Sequence, residues 1–231
     1  MWGFVTAGIY QSDDEVSKGP DQTRYYARWL PGDVHYTDLN GDGKINNGAN
    51  TLADHGDLKV VGNSTPRYSY GVNLGVEWRG IYIDMLWQGV AKQDFWPNGN
   101  FFWGTGTNIN NSTLFEGHLD YWKPDRTDAY FPKLYLSGEN NKNRQVQTMY
   151  MQDNSYLRLK NLQLGYTLPA SLTNKFSVGS MRVYFTGENL LTFTKLFDVF
   201  DPETTVNAQY GQGKVYPLAT TYSIGINVNL K

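Results

Sequence analysis

The sequence predicts an all-β fold of antiparallel strands forming part of a transmembrane β-barrel, incomplete, with about five long strands and long extracellular loops. Three observations carry this. The first is strict alternation: in Thr221–Leu230, Tyr222, Ile224, Ile226, Val228 and Leu230 fall on one face and Ser223, Gly225, Asn227 and Asn229 on the other. The second is composition, with 15% aromatic residues, 24 Gly and only 18% charged residues, as suits strands joined by many turns. The third is loop asymmetry, since long polar stretches alternate with one tight turn, as in barrels with short turns at one end and long loops at the other.

The elements follow in order. Residues 1 to about 66 read as a long polar connection, through Gln11–Glu15, Pro31–Asp33 and an Asn/Gly/Asp cluster from Asp38 to Gly56, with a short strand at Lys59–Val61. Tyr68, Tyr70, Val72, Leu74, Val76 and Trp78 then alternate with Ser69, Gly71, Asn73, Gly75 and Glu77. Arg79-Gly80 makes a tight turn, glycine supplying a positive φ. Ile81, Ile83, Met85 and Trp87 alternate with Tyr82, Asp84, Leu86 and Gln88, which completes a β-hairpin. Rings at its ends, Tyr68, Trp78 and Trp87, resemble the aromatic girdles of membrane barrels. Residues 90 to about 150 form a second long, aromatic-spiked loop without helical periodicity. Such loops are uncommon inside compact soluble domains.

In Tyr156–Leu168, Leu157 and Leu159 share one phase and Leu162, Leu164, Tyr166 and Leu168 the other. The slip at Lys160-Asn161 predicts a β-bulge. Pro169 ends the strand. A short connection follows, with one helical turn around Ala170–Asn174, then a strand over Met181–Gly187 and a third loop from about 195 to 215. Antiparallel neighbours in chain order give the sheet.

Several functions are excluded or disfavoured. A formal net charge of -2 and no basic run leave no electrostatic footprint for nucleic acid. No apolar run is long enough for a transmembrane helix, which says nothing against a barrel. Cysteine is absent, so there is no disulfide framework and no thiolate metal site. Met1–Thr6 lacks a signal peptide's basic and apolar regions. His35, His55 and His118 show no metal-ligand spacing, and Glu77, Asp84 and Glu188 fit a polar strand face better than a glycosidase pair. No catalytic residue is assigned, and the chain is not read as an enzyme.

Two loops do carry chemistry. Asp38-Leu39-Asn40-Gly41-Asp42-Gly43-Lys44-Ile45 matches the first part of an EF-hand-type calcium loop, with oxygens at Asp38, Asn40 and Asp42 and the backbone carbonyl of Lys44. Ala49 stands where the bidentate carboxylate belongs, so Asp54 or Asp57 would have to close the site. The other reading is a metal-free loop of Asx turns. Trp96, Phe101, Phe102 and Trp103 could stack on a substrate or bury into a partner protein, or the loop could pack on itself.

Pro31-Gly32-Asp33, the Asp38–Ile45 loop, Val61-Gly62-Asn63-Ser64-Thr65-Pro66-Arg67-Tyr68, Trp87-Gln88-Gly89-Val90, Ser155–Asn161 with Leu164-Gly165-Tyr166, and Thr186-Gly187-Glu188-Asn189-Leu190-Leu191 resemble the SusC/RagA family of TonB-dependent outer-membrane transporters of Bacteroidetes. The motifs keep the family's order over nearly the whole chain. The resemblance implies that residues 1–231 are the C-terminal part of the 22-stranded barrel domain, with the plug domain absent and Met1 an internal start. It implies localisation in the cell outer membrane and import of glycans or oligopeptides, driven by TonB through the plug. A SusD/RagB-like surface lipoprotein is the implied partner. It also implies Asp57 as the closing carboxylate of the loop. Leu230-Lys231 departs from the family's aromatic terminus. Tyr70, Val72, Leu74, Val76, Ile83, Met85, Ile224, Ile226 and Val228 are expected to face lipid. Asn73, Glu77, Asp84, Gln88, Arg182, Glu188, Asn227 and Asn229 are expected to face the lumen. The alternative is a secreted soluble carbohydrate-binding β-sandwich with a calcium site.

Overall fold

A computed structural model describes residues 1–106, 110, 112–205 and 215–230, in two compact units. The elements run β1 (Trp2–Phe4), β2 (Thr6–Ile9), α1 (Asp13–Lys18), β3 (Val34–Tyr36), β4 (Leu58–Val60), β5 (Tyr68–Trp78), β6 (Ile81–Ala91), β7 (Asp94–Phe95), α2 (Asn100–Trp103), β8 (Gln152–Asp153), β9 (Tyr156–Thr167), α3 (Ala170–Thr173), β10 (Val178–Thr194) and β11 (Thr221–Leu230).

The second unit, residues 65–93, 153–204 and 216–231, is the predicted sheet. Its five strands are antiparallel in the order β11-β10-β9-β6-β5, so neighbours in the sheet are neighbours in the chain order of the long strands. Trp78 pairs with Ile81 across Arg79 (φ 50°) and Gly80 (φ 84°), two consecutive left-handed residues that close a type I′-like hairpin. The predicted bulge is present. Leu86 faces Asn161 and Trp87 faces Leu159, so Lys160 is the extra residue. On the other side β10 answers with its own irregularity, as Glu188 pairs with Asn161 and Leu191 with Leu159. The sequence placed this strand at Met181–Gly187, but it runs over 17 residues. Beyond Gly187 the alternation is broken by the irregularity at Asn189-Leu190, which hides the second half from a period-2 reading.

Because paired residues share a face, the register defines two sides. One carries Val72, Trp87, Leu159 and Leu191 in one row, then Leu74, Met85, Leu162 and Tyr222, then Val76, Ile83, Leu164, Phe185 and Ile224. This side is apolar across all five strands and is exposed: Leu74 is 48% and Ile224 81% accessible. Tyr68 to Trp78 spans ten rises of roughly 3.3 Å, about 33 Å along the strand; a tilt of about 40° brings that to ~25 Å, the height of a membrane barrel's apolar band.

The first unit, residues 1–64, 94–152 and 205–215, corrects the expectation of polar connections over 1–66 and 90–150. Two antiparallel pairs, β1 with β4 and β2 with β3, surround a core of Phe4, Tyr10, Val34, Tyr36 and Ile45. Ser12 caps α1 by accepting a hydrogen bond from the Glu15 N–H (3.2 Å). Around α2 lies an aromatic cluster in which Phe102, Trp103, Phe131 and Tyr150 are buried and packed mostly edge to face. Two of these rings sit on the four-residue α2 and the other two outside any helix or long strand, so no helix or strand period reveals them.

Candidate functional site

The opposite side of the sheet is polar. Asn73, Glu77, Asp84, Gln88, Arg182, Glu188, Asn227 and Asn229 all fall on it, and Tyr70, Val72, Leu74, Val76, Ile83, Met85, Ile224, Ile226 and Val228 fall on the apolar side. The polar side is also aromatic in one respect. The Tyr82 ring lies on Gly165, where a Cβ would collide with it, and Tyr184 covers Gly225 in the same way. Arg182 stacks over Tyr82 at 4.8 Å.

A polar network that sequence reasoning missed is centred on Arg158, in β9. Its Nε donates to Thr192 Oγ1 (2.8 Å), one terminal nitrogen donates to Glu203 (2.7 Å) and the other to Asp201 (2.8 Å). Lys160 reaches Glu203 at 3.1 Å. Asp201 also accepts the Glu203 and Leu218 N–H groups. The stem of the third loop is thereby clamped to the polar face of the sheet. Residues 206–214 of that loop lie outside the described residues. Only the lone Arg and Lys in an otherwise neutral strand hint at this network in the sequence.

In the acidic loop, Asp38 accepts the Gly41 and Gly43 N–H groups with its two oxygens (2.7 Å each). Asn40 Oδ1 accepts the Asp42 N–H (3.0 Å) and Asp42 Oδ1 accepts the Lys44 N–H (2.8 Å). Positive φ at Gly41 and Gly43 permits these close turns. Asp57 is fully buried and braces the loop, accepting the Leu39 and Asn46 N–H groups at 2.8 Å each. The Gly43 amide, first among several backbone donors, holds the Asp38 carboxyl below the usual carboxylate range. Asp54 belongs to a separate turn, where it accepts the Ala49 N–H. Among the described residues no three His, Cys, Asp or Glu side chains gather as a metal cluster; the loop's oxygens come from Asp, Asn and backbone.

The aromatic run divides. Phe102 and Trp103 are core residues and are not available to a ligand, because the cluster around Phe131 and Tyr150 encloses them. Trp96 packs at 5.9 Å on Trp103. Phe101 is partly exposed and stacks on Phe115 at 5.6 Å. Lys44 remains exposed in the acidic loop.

The histidines are local structure. His35 stacks on Tyr10 at 4.4 Å and His55 lies 5.2 Å from Trp2. His118 is buried; its Nδ1 accepts the Phe115 N–H (2.9 Å) and its Nε2 faces the Phe101 and Phe102 carbonyls (3.0 Å each). That pattern selects the neutral ring protonated on Nε2. Burial lowers the His118 pKa, and the Arg144 charge lowers it further against the pull of the two carbonyls. The unfolded ring binds its proton near pH 6.5, and the folded ring binds it lower. The unfolded state therefore holds more protons in that window, and stability falls as pH drops through 6.5 toward the folded value. Melting at pH 7.5 and 5.5 should show the loss in the native protein and a smaller one in His118→Gln. Equal pH dependence in both would remove His118 from the account.

No family model matches the chain. It is similar to TonB-dependent receptor P3 of Formosa agariphila, 27% identical over 99% of this chain and 22% of that receptor. Receptor P26 of the same organism is 25% identical over 98% of this chain and 22% of its own length. The structure of the RagAB peptide transporter matches with a TM-score of 0.66 at 26% identity, covering 99% of this chain and 22% of that one. The RagAB peptide importer in its open-open state matches with a TM-score of 0.64 at 25% identity, over 100% and 22%. The chain thus spans less than a quarter of the length of these relatives.

Proposed function

Given a likeness to SusC/RagA-type TonB-dependent receptors over its whole length, we propose that this chain is a wall segment of an outer-membrane transporter. The single observation that supports this most is the two-sided sheet: one face apolar and exposed across five strands, the other polar. Lipid satisfies the first face and a hydrated lumen the second. In a soluble sandwich the apolar face would need a second sheet; among the described residues no second sheet has more than two strands.

The transported substrate on this reading is an oligopeptide or glycan. The similar RagAB structures are those of a peptide transporter and a peptide importer, which favours peptide. A SusD/RagB-like lipoprotein would deliver it, and TonB would act through a plug domain. The segment contributes wall, lumen surface and loops and no catalytic step. Fractionation of cells making the full-length protein, with uptake of fluorescent oligopeptides, tests this. Outer-membrane recovery with uptake lost on deletion is the expected result. Recovery of the folded protein in buffer without detergent would contradict it.

We also propose that the Asp38 loop, closed by Asp57, holds a structural calcium ion. Its donors, Asp38, Asn40, Asp42, Asp57 and the Lys44 carbonyl, are the hard oxygens calcium prefers. Each oxygen that accepts one backbone N–H keeps a second lone pair. An ion at about 100 times its Kd would add roughly 2.7 kcal/mol. Chelator should therefore lower the melting temperature, and Asp42→Ala should abolish that shift. An unchanged melt on chelation would leave only Asx turns.

A further inference from the structure

At its loop end, the apolar side of the sheet carries a cleft of about 360 Å³, lined by Tyr70, Leu157, Phe193 and Lys195 among others. All of its residues belong to the second unit. Its floor is one row of the register, Tyr70, Gly89, Leu157 and Phe193. The Tyr70 hydroxyl donates to the Tyr156 carbonyl (3.3 Å), which lays the ring over Gly89. Phe193 stacks on Trp87 at 6.4 Å and is 59% accessible. The floor is therefore an open apolar trough.

The charges at its mouth are a second, independent observation. The rows of this side from Val72 to Ile224 hold no charged residue, whereas the loop end holds two lysines. Lys195 keeps the phase of Leu191 and Phe193, so it stays on the apolar side. By alternation Lys92 would fall on the polar side. Its left-handed backbone (φ 56°) ends the period, and its ammonium sits 5.8 Å over the Tyr68 ring, on the apolar side. Only β9 separates β6 from β10, so the two backbones stand roughly 10 Å apart and the lysine side chains can converge on one group. Both lysines are exposed, and among the described residues neither forms an ion pair. Asp153 also lines the cleft, and its Oδ1 accepts the Ser155 N–H (2.9 Å). Asp198, Asp201 and Glu203 gather around Arg158 on the polar side. The mouth is thus net positive.

In a membrane barrel the short turns lie at the periplasmic end and the long loops outside. Arg79-Gly80 marks the turn end, so the lysines stand at the headgroup level of the outer leaflet and the trough runs below them toward Trp87. We infer that this cleft is a binding site for a phosphate-bearing lipid of the outer leaflet, its phosphate between Lys92 and Lys195 and an acyl chain along Tyr70, Leu157 and Phe193. Each ammonium–phosphate contact is a charge-assisted hydrogen bond, stronger than a neutral one. A lipid without net charge fills the same trough but gains nothing from the lysines. The site rests on the reading of this face as membrane wall.

The test uses the full-length protein, with any cysteine outside this segment changed to serine, in phosphatidylcholine vesicles. A bimane on Val72→Cys, one row below the cleft, reports quenching by brominated lipid. A bimane on Ile224→Cys, on the same side but toward the turn end of β11, is the control. Brominated phosphatidic acid should quench at position 72 at a mole fraction about tenfold or more lower than brominated phosphatidylcholine, each lysine contributing roughly fivefold. The two lipids should quench alike at position 224. Lys92→Gln combined with Lys195→Gln should remove the preference at 72 and leave quenching by phosphatidylcholine unchanged. Equal quenching by both lipids at 72, an equally strong preference at 224, or a preference that survives the double substitution would overturn the site. Any of these with phosphatidylcholine still quenching at both positions leaves the wall reading standing. No quenching by either lipid at either position fails that reading first.

Discussion

Replacing Lys142 with alanine is expected to cost about 3–5 kcal/mol, the largest single effect in the first unit, because it leaves a buried carboxylate without its cation. Lys142 and Asp33 are both fully inaccessible and 2.6 Å apart. The Lys142 ammonium also donates to Glu139 (2.9 Å) and to the Arg28 carbonyl (2.9 Å). Aromatic faces surround it, Tyr135 at 4.4 Å, Tyr26 at 5.4 Å and Trp29 at 5.5 Å. Asp33 keeps Tyr135, Asn143 and the Leu30 N–H as donors, which sets the cost toward the lower end. Adding Asp33→Asn to Lys142→Met should recover part of the loss, since the buried charge is then gone. Chemical denaturation of the full-length protein and both variants measures this. A Lys142→Ala midpoint equal to the native one would show that the ion pair contributes nothing.

Leu74→Arg is expected to cost roughly 2–4 kcal/mol, and Asn73→Arg far less. The two residues are adjacent, so they share depth, strand and secondary-structure propensity. They differ in face: Leu74 pairs with Met85 and Asn73 with Leu86. Leu74 is the seventh residue of an eleven-residue strand, next to its midpoint and near the middle of the apolar band. Refolding into bilayers with a reversible denaturation readout compares them. Equal costs would mean that the apolar face is not in lipid.

The sheet was legible in the sequence because a strand writes its two faces at a period of two, and here one face is apolar and the other polar across all five strands. The turn at Arg79-Gly80 and the bulge at Lys160 were legible for the same reason, as breaks in that period. The first unit was not. Its core is Phe4, Tyr10, Tyr36, Phe102, Phe131 and Tyr150, brought together by turns and by polar side chains bonding backbone, such as Gln22 to Val34 and Tyr36. Nothing periodic marks those residues. Phe102 and Trp103 showed the limit directly: an aromatic run reads the same whether it is offered to a ligand or enclosed in a core. Arg158 and Asp201 were invisible as a pair because 43 residues separate them and only the fold joins them. The acidic loop was legible as a spacing, and Asp57 entered through family likeness; its burial against Leu39 and Asn46 appears only in the structure.

The chain contains no cysteine, so single cysteines carrying a nitroxide can be placed along β5 from Tyr68 to Trp78 with no competing thiol from this region. In the full-length protein in bilayers, collision rates with oxygen and with a water-soluble nickel complex report lipid and water separately. The two-sided wall predicts alternation with a period of two: labels at positions 70, 72, 74 and 76 relax with oxygen, and labels at 71, 73 and 75 relax with nickel. Uniform nickel accessibility along the strand, or alternation of the opposite phase, would contradict the assignment of the apolar face to lipid.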